Sequence, residues 1–375
     1  MFKKSLAALA VLGAAAGYAS AADVTLFGVV DTGLIYTHQT FADDSKADVN
    51  KFSMDSGVSS ASRFGLKGTE ELGNGLKVGF KLENGFQSDS GALKSEKRIF
   101  DREASVSLYS DFGTLSMGRM GGVGSGAGTY DLVLATADAF DGGDNNVFGF
   151  ATSDRYDNMV TYQTPKFAGL QATVQYSFNE DSVEETAREG SSAVNRYSSA
   201  ALTGDFGALQ TVLAYEFQNY KSFGAAGEHD DGQIVYLGGN YDCGFAKTFV
   251  MGQYFKGIKA GQLTAITEAD ANLIDKAGNT ESAADGVKGY GVHLGTIVPV
   301  AGGDLTVAAY FTDFTVEFDN GEDGDAKSYA FGAKYEYYLS KRTSVYTGAG
   351  FAQVKYDDEG SDKTTQAYLG LTHRF

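Results

Sequence analysis

The segment that decides the fold spans residues 170–178 and reads Leu170-Gln171-Ala172-Thr173-Val174-Gln175-Tyr176-Ser177-Phe178. Apolar and polar side chains alternate strictly along it, and a period of two is the period of a β-strand. One face of this strand is therefore apolar and the other is polar. The segment is also long enough to cross a bilayer as a tilted strand. It predicts a membrane-spanning strand with one face toward lipid and one toward water.

The same alternation recurs along the chain. It is found in residues 76–83, 209–218 and 328–337, where aliphatic or aromatic residues alternate with polar or small ones, apart from Thr211 and Val212. A soluble β-sandwich also alternates, but its strands average about 5 or 6 residues, and its polar face points outward to water. The length of the alternating segments therefore favours a barrel in a membrane.

The composition supports many paired strands and excludes several other classes. Tyrosine (22) and phenylalanine (26) are abundant, which suits strands and interfacial girdles, while proline (2) is scarce, which leaves the ladders unbroken. The formal net charge of −18 argues against a nucleic-acid partner. Cys243 is the single cysteine, so no intramolecular disulfide can form. Acidic loops such as 319–325 lack EF-hand spacing, so we predict no metal and no cofactor.

The first residues have the layout of a secretory signal peptide. Two lysines precede an apolar run over residues 6–16, and Ala-Ser-Ala follows at 19–21. This predicts cleavage after Ala21 and a single mature domain over residues 22–375. The apolar run is about half as long as the ~20 residues of a transmembrane helix, so a membrane anchor is the less favoured interpretation. No later run is long and apolar enough to span a membrane as a helix, so a helical membrane protein is excluded.

The connections between the predicted strands alternate between short and long, as in outer-membrane barrels. Glycine, asparagine, aspartate and proline mark seven tight turns, at residues 72–75, 110–113, 165–169, 204–207, 242–244, 301–303 and 340–342. Eight longer loops separate them, near residues 38–52, 88–97, 121–153, 180–194, 220–231, 258–286, 319–326 and 357–363. Seven turns and eight loops join sixteen antiparallel strands. The prediction is an all-β, sixteen-stranded transmembrane barrel with short periplasmic turns and long extracellular loops.

Six segments in a fixed order carry a more specific signal. They lie at residues 24–31, 62–68, 70–77, 111–119, 155–170 and 339–343, and read VTLFGVVD, SRFGLKG, EELGNGLK, DFGTLSMGR, RYDNMVTYQTPKFAGL and LSKRT. Together with a final Phe375 they resemble the general porins of Gram-negative bacteria, particularly the neisserial and burkholderial type. The resemblance implies a homotrimer in the outer membrane and passive diffusion of ions and small hydrophilic solutes. It also implies that the third extracellular loop, here residues 121–153, folds inward and narrows the pore.

Three arginines are the basic candidates for this constriction. Arg63 and Arg155 alternate with apolar residues and so lie on the polar face of their strands. Both should face the lumen, because an arginine facing lipid costs about 2 to 4 kcal/mol at mid-bilayer. For Arg102 the alternation does not decide which face of the strand the side chain lies on. In the porin family a cluster of arginines on the wall faces acidic residues of the inward loop, and the resemblance places Arg63, Arg102 and Arg155 in the matching motifs. The alternative for each is a rim or surface arginine.

The acidic side of the constriction is predicted from the loop. Residues 130–140 could form a short helix, on which Asp131 and Asp138, seven apart, would share one face. Solvated loop carboxylates are the alternative. Lys81 and Glu83 face the lumen by parity and are secondary candidates.

The resemblance also implies partners. Phe375 closes the last strand and is expected to form part of the signal for the barrel-assembly machinery; outer-membrane lipid and lipopolysaccharide would surround the barrel. The preference for anions or cations stays open at this point, because a wall of arginines favours anions whereas the acidic chain draws cations toward the pore mouths.

Other classes of function have less support. A hydrolase would need a base or a nucleophile, but His38, His229, His293 and His373 lie in no recognisable catalytic motif, so no catalytic residue is predicted. A surface adhesin or receptor would use the exposed loops. A solute-specific channel is the closest alternative, because selective binding inside a pore leaves no clear mark in a sequence.

Overall fold

The structure is a computed structural model that describes residues 23–43, 45–140, 150–181, 194–220, 231–263, 284–318, 323–357 and 360–375. The predicted signal peptide therefore lies outside the described residues. Seventeen antiparallel strand segments form one continuous sheet. Their bounds are β1 (Thr25–Thr40), β2 (Val49–Ser56), β3 (Arg63–Gly73), β4 (Leu76–Gly85), β5 (Glu103–Ser110), β6 (Gly113–Gly121), β7 (Arg155–Gln163), β8 (Leu170–Ser177), β9 (Arg196–Phe206), β10 (Leu209–Asn219), β11 (Gly232–Asp242), β12 (Lys247–Ile258), β13 (Ala284–Val300), β14 (Gly303–Phe318), β15 (Asp323–Tyr338), β16 (Thr343–Tyr356) and β17 (Gly360–Arg374).

Two of these segments, β2 and β3, occupy one position in the barrel. The second half of β1 pairs with β2, and its first half pairs with β3. Residues 57–62 leave the sheet between them, starting at Gly57, whose φ is 70°. The seventeen segments therefore make the sixteen barrel strands that were predicted. The loop predicted near 38–52 and the turn predicted at 72–75 leave one uninterrupted strand between them, and the structure divides that strand in two.

The barrel is closed by its first and last strands. β1 pairs with β17 from Val29↔Arg374 to Thr40↔Lys363, and the backbones of Gly28 and Phe375 exchange two hydrogen bonds of 3.0 Å. A Cβ atom at Gly28 would collide with the ring of Phe375, so the close approach of the ring requires glycine there. Closure leaves no free edge whose backbone groups would be unpaired in lipid.

All seven predicted tight turns are found, each between two paired strands, but the fourth lies at residues 207–208 and not at 204–207, because β9 extends to Phe206. The first long loop is shorter than predicted, because β1 extends to Thr40 and β2 begins at Val49. The last two are also shorter, because β15 begins at Asp323 and β17 at Gly360. Charged residues at 319–326 and 357–363 suggested loops, yet strands above the membrane have water on both faces and therefore accept polar side chains throughout.

As predicted, the apolar residues of the alternating pattern lie on the outer face of the barrel wall and the polar residues lie on its inner face. In β8, Val174 and Tyr176 are exposed on the outer face, whereas Thr173, Gln175 and Ser177 are buried inside the barrel. The tight turns carry a belt of aromatic side chains at the rim, with Phe112, Phe167 and Phe245 strongly exposed, as expected for an aromatic girdle. Across the described ranges no helix is long and apolar enough to cross a membrane.

The buried core of the molecule lies inside the barrel, where the segment 122–154, called loop 3 here, packs on the wall. Its only helix in the described residues is α1 (Leu134–Ala137), a single turn. Val133, Leu134 and Ala137 form one apolar cluster with inward side chains that include Ile234 and Tyr236 of β11. Loop 3 therefore fills part of the lumen and leaves the rest of it open.

Candidate functional site: the barrel lumen

A cavity of about 690 Å³ lies in the lumen between loop 3 and the barrel wall. Its lining brings together all seven side chains that the sequence singled out for the pore, namely Arg63, Lys81, Glu83, Arg102, Asp131, Asp138 and Arg155. These residues come from β3, β4, loop 3 and the ends of neighbouring strands. Strand parity places Arg63, Lys81, Glu83 and Arg155 around this space, the inward course of loop 3 adds Asp131 and Asp138, and Arg102 enters it from just before β5.

The basic side of this cavity is organised around the buried carboxylate of Glu83. Arg102 Nε lies 2.6 Å from its Oε1 atom, and Arg63 Nε lies 3.9 Å from the same oxygen. Lys81 Nζ lies 3.3 Å from the second oxygen, Oε2. Glu83 was predicted only as a secondary lumen charge, but three cations share it. One carboxylate therefore holds the basic side chains together and offsets part of their charge.

Arg63 and Arg102 are positioned by different local hydrogen bonds, whereas Arg155 is placed by the start of its strand. Arg63 donates from one terminal nitrogen to the carbonyl oxygen of Ala61, at 2.8 Å, which turns its side chain along the wall. Arg102 precedes β5 and is held by its backbone, which donates to the Glu83 carbonyl. Because it lies outside the strand, its inward direction does not follow the strand's parity. Arg155 begins β7, and its Nε atom is buried without a hydrogen-bond partner among the described residues.

The two acidic candidates both line the cavity, but no shared helix face holds them. Asp131 lies before the single turn of α1, and Asp138 follows it in an extended conformation. The expected helix over 130–140 is wrong in length, because the polypeptide is held by contacts with the wall. Asp138 is buried and accepts a hydrogen bond of 2.7 Å from the hydroxyl of Tyr310, and His293 Nε2 lies 3.4 Å from the same oxygen.

Glu103 was missed by sequence reasoning. It is buried on the lumen face of β5, 2.8 Å from Lys81 Nζ. Its carboxylate also accepts hydrogen bonds from the backbone N–H and the hydroxyl of Thr129 in loop 3. The sequence offers a signal for it: Glu103 alternates in step with the polar residues Ser105 and Ser107, and all three are buried on the same face. Glu103 links the basic wall to the loop.

The start of loop 3 is fastened by a second buried carboxylate. Glu216 of β10 is fully buried and accepts hydrogen bonds from the backbone N–H of Gly124 at 2.9 Å and the hydroxyl of Tyr197 at 2.7 Å. The hydroxyl of Tyr236 donates to its other oxygen at 3.2 Å. Parity placed Glu216 on the polar face, but its contact with the loop depends on how the loop is folded.

Two further sets of ion pairs join β6 to β7 and the loop between β4 and β5 to the wall. Arg119 lies 2.6 Å from Asp157, and Arg98 bridges Asp157 and Asp181 at 3.1 and 2.5 Å. Burial opposes the charged form of Arg98, but its hydrogen bonds to the two aspartates dominate and raise its pKa above the ordinary value. Arg98 thus joins the loop between β4 and β5 to Asp157 of β7 and to Asp181.

Histidine, cysteine, aspartate and glutamate side chains form no group of three or more that could hold a metal ion within the described ranges. Of the histidines, His38 contacts Asn50, His373 contacts Thr343 and His293 contacts Asp138, while His229 lies outside the described residues. The described histidines are thus used in three separate local contacts.

Comparison with known proteins agrees with the architecture. Relatives that align along nearly the whole chain include an outer membrane porin protein of Bordetella pertussis, 33% identical over 100% of both chains, and outer membrane porin protein 32 of Delftia acidovorans, 31% identical over 94% of this chain and 90% of the relative. The major outer membrane protein P.IB of Neisseria meningitidis is 26% identical over 100% of both chains.

Solved structures show the same fold. An anion-selective porin from Comamonas acidovorans superposes with a TM-score of 0.66 at 25% identity, covering 95% of this chain and 100% of that one. The outer membrane channel DcaP of Acinetobacter baumannii gives a TM-score of 0.67 at 18% identity, covering 95% and 98%. Residues 8–374 match the family described as Gram-negative porin. The chain therefore belongs to the Gram-negative porin family and is an outer-membrane β-barrel channel.

Proposed function

We propose that this porin conducts ions and small hydrophilic solutes by passive diffusion, and that the arginines Arg63, Arg102 and Arg155, facing Asp131 and Asp138 of loop 3, set its selectivity. The observation that carries the proposal is the convergence of these five side chains on one lumen cavity. A passive pore performs no chemistry, so its discrimination comes from its aperture and from the charges that line it.

The balance of charge in the cavity favours anions. Six basic side chains line it against five carboxylates, although the whole chain carries −18. Asp138 is moreover buried against Tyr310, so its charge is less accessible than those of the arginines. Two unit charges 4 Å apart interact by about 1 kcal/mol in bulk water and about 4 kcal/mol at an effective dielectric constant of 20. A single uncompensated cation in the cavity is thus sufficient to bias permeation.

The test is the reversal potential of the purified porin in planar bilayers under a salt gradient, for the wild type and an Arg63→Gln, Arg155→Gln double variant. A preference of about 1.4 kcal/mol corresponds to a tenfold ratio of the two ions. We expect the anion-to-cation permeability ratio to fall several-fold in the double variant, with channels still forming.

The matched control is Arg342→Gln, which removes the same charge from an exposed periplasmic turn. It should leave the reversal potential unchanged. An equal shift in both variants would indicate a general effect of net charge, and no shift in either would remove the arginines from the selectivity mechanism.

We further propose that the porin assembles as a homotrimer in contact with outer-membrane lipid and lipopolysaccharide, after insertion by the barrel-assembly machinery. The support is the resemblance to the porin family, together with the apolar outer face and the aromatic belt at the turns. In the same bilayer recordings a trimer should insert as conductance steps in groups of three.

A further inference from the structure

The interruption between β2 and β3 places a second piece of backbone inside the lumen. Residues 57–62, called the shelf here, leave the sheet and turn inward. Ser59, Ser60 and Ala61 line the same cavity as loop 3. The shelf and loop 3 come from different parts of the chain and enter the lumen independently.

The shelf is held in place by Asp31 of β1, which is fully buried. The Asp31 carboxylate accepts hydrogen bonds from the backbone N–H of Ser59 at 3.3 Å, from the hydroxyl of Tyr346 at 2.8 Å and from the hydroxyl of Thr372 at 2.5 Å. Its backbone carbonyl accepts from Gly57 N–H and from the hydroxyl of Ser62. Both ends of the shelf are therefore tied to one residue of the barrel wall.

The shelf and loop 3 meet at the side chain of Lys334 on β15. Lys334 Nζ donates to the hydroxyl of Ser59 at 2.9 Å, and it lies 5.4 Å from the centre of the Phe140 ring in loop 3. A cation over an aromatic face at this distance is attracted by the ring. One ammonium group thus joins the two inward segments across the inside of the wall.

The shelf also orients the basic side of the pore. Its carbonyl at Ala61 and its hydroxyl at Ser60 both accept hydrogen bonds from Arg63. A displacement of the shelf would therefore move Arg63 as well as release Lys334.

We propose that the shelf is a second wall of the constriction, that Lys334 is a specificity-determining residue where the shelf meets loop 3, and that Asp31 is the positioning residue that holds the shelf. Permeating ions pass a rim made of two segments, with the Ser59 hydroxyl and the Lys334 ammonium on it. This inference rests on the proposed conduction pathway through the cavity.

The first experiment tests whether the shelf borders the conduction path. Ser59→Cys is made in a Cys243→Ser background, since Cys243 is exposed in a periplasmic turn. A positively charged methanethiosulfonate reagent is then added during single-channel recording. The thiolate introduced at position 59 attacks the reagent's sulfenyl sulfur, forms a mixed disulfide and expels sulfinate, which attaches a bulky cation to the shelf. We expect a stepwise, dithiothreitol-reversible drop in conductance. Ser340→Cys, in an exposed turn, is the control and should show no drop.

The second experiment tests Lys334 and Asp31 by reversal potential. Lys334→Met should lower the anion-to-cation ratio and raise the conductance, while Lys334→Arg should restore the wild-type ratio.

Asp31→Asn removes a buried negative charge, which by itself would favour anions. A positioning role predicts the opposite sign, a shift toward cations, because Arg63 and Lys334 lose their fixed places. Tyr346→Phe, which removes one hydrogen bond to Asp31, should shift the ratio in the same direction and serves if Asp31→Asn does not assemble.

The outcomes separate this inference from the proposed function. If the wild type does not conduct, the proposed function fails. If it conducts but modification at residue 59 leaves the conductance unchanged, the shelf is not part of the constriction. If Lys334→Met leaves the ratio unchanged, Lys334 does not determine specificity, and an anion-directed shift in Asp31→Asn would overturn its positioning role.

Discussion

At the scale of single residues, Glu83 is the carboxylate that three lumen cations share. It is almost fully buried, yet it lies within 4.0 Å of Arg63, Lys81 and Arg102. A carboxylate among three cations lowers their mutual repulsion and also reduces the field that a passing anion meets. Glu83 therefore stabilises the folded barrel but weakens the anion selectivity of the pore.

Replacing Glu83 by glutamine should separate these two effects. Because the uncompensated cations repel one another, we expect a lower midpoint of thermal unfolding in detergent. We also expect a higher anion-to-cation permeability ratio, measured as a reversal potential. Glu71→Gln is the matched control, since the ion pair of Glu71 with Lys77 is exposed and 4.0 Å long and such surface pairs contribute little. A ratio that stays at the wild-type value in Glu83→Gln would mean that Glu83 does not limit anion passage.

At the scale of elements, loop 3 is a strip of irregular backbone that is rigid only through its contacts with the wall. α1 is a single turn and cannot hold its own shape. Three carboxylates fasten the loop at separate points: Glu216 contacts Gly124 at its start, Glu103 contacts Thr129 five residues further on, and Asp138, at the middle of the loop, contacts Tyr310 on β14. The aperture thus depends on buried polar contacts between the loop and distant strands.

Glu216→Gln should loosen the start of the loop without altering the lining of the cavity. One carboxylate oxygen becomes an amide N–H that faces hydrogen-bond donors, and leaving a buried donor unpaired costs about 1 to 3 kcal/mol. We expect increased open-channel current noise with an unchanged reversal potential. Tyr236→Phe, which removes the 3.2 Å hydrogen bond to the other oxygen of Glu216, should give a smaller increase. Noise equal to that of the wild type in both variants would show that the loop is held without Glu216.

At the scale of the whole molecule, the barrel depends on pairing the two ends of the sheet. Phe375 extends the pairing of β17 with β1 through two backbone hydrogen bonds to Gly28. Its backbone therefore belongs to the closing seam, whereas its ring is proposed to be part of the assembly signal. The two roles use different atoms and can be tested separately.

Phe375→Ala keeps the backbone hydrogen bonds and removes the ring. We expect refolding of the purified protein into detergent to give nearly the wild-type yield, measured by heat-modifiable mobility on gels, while the amount inserted in the outer membrane of cells falls several-fold. Phe375→Tyr, which retains the ring, should assemble normally in cells. Equal losses in the two settings would assign the ring to barrel stability and not to recognition by the assembly machinery.

Much of this architecture could be predicted because it follows from local rules. A period of two assigns each side chain to one face, so the alternation alone predicts that Val174 points outward and Gln175 inward, without knowledge of the residues that they contact. Turn residues marked the periplasmic ends of the strands. Parity also placed Arg63, Lys81 and Glu83 inside the lumen, because an uncompensated charge facing lipid is unfavourable.

The tertiary structure decided which of the inward side chains meet. Asp138 contacts His293, which is remote in sequence, and Lys334 joins Ser59 to Phe140. These contacts depend on the register of the strands, the curvature of the wall and the course of loop 3, none of which is encoded in a period of two. The sequence by itself thus determined the barrel, its two faces and which charged residues are available to line the lumen. Only closure of the sheet around the inward segments decided how those charges pair, because pairing requires residues from distant strands to face the same enclosed space.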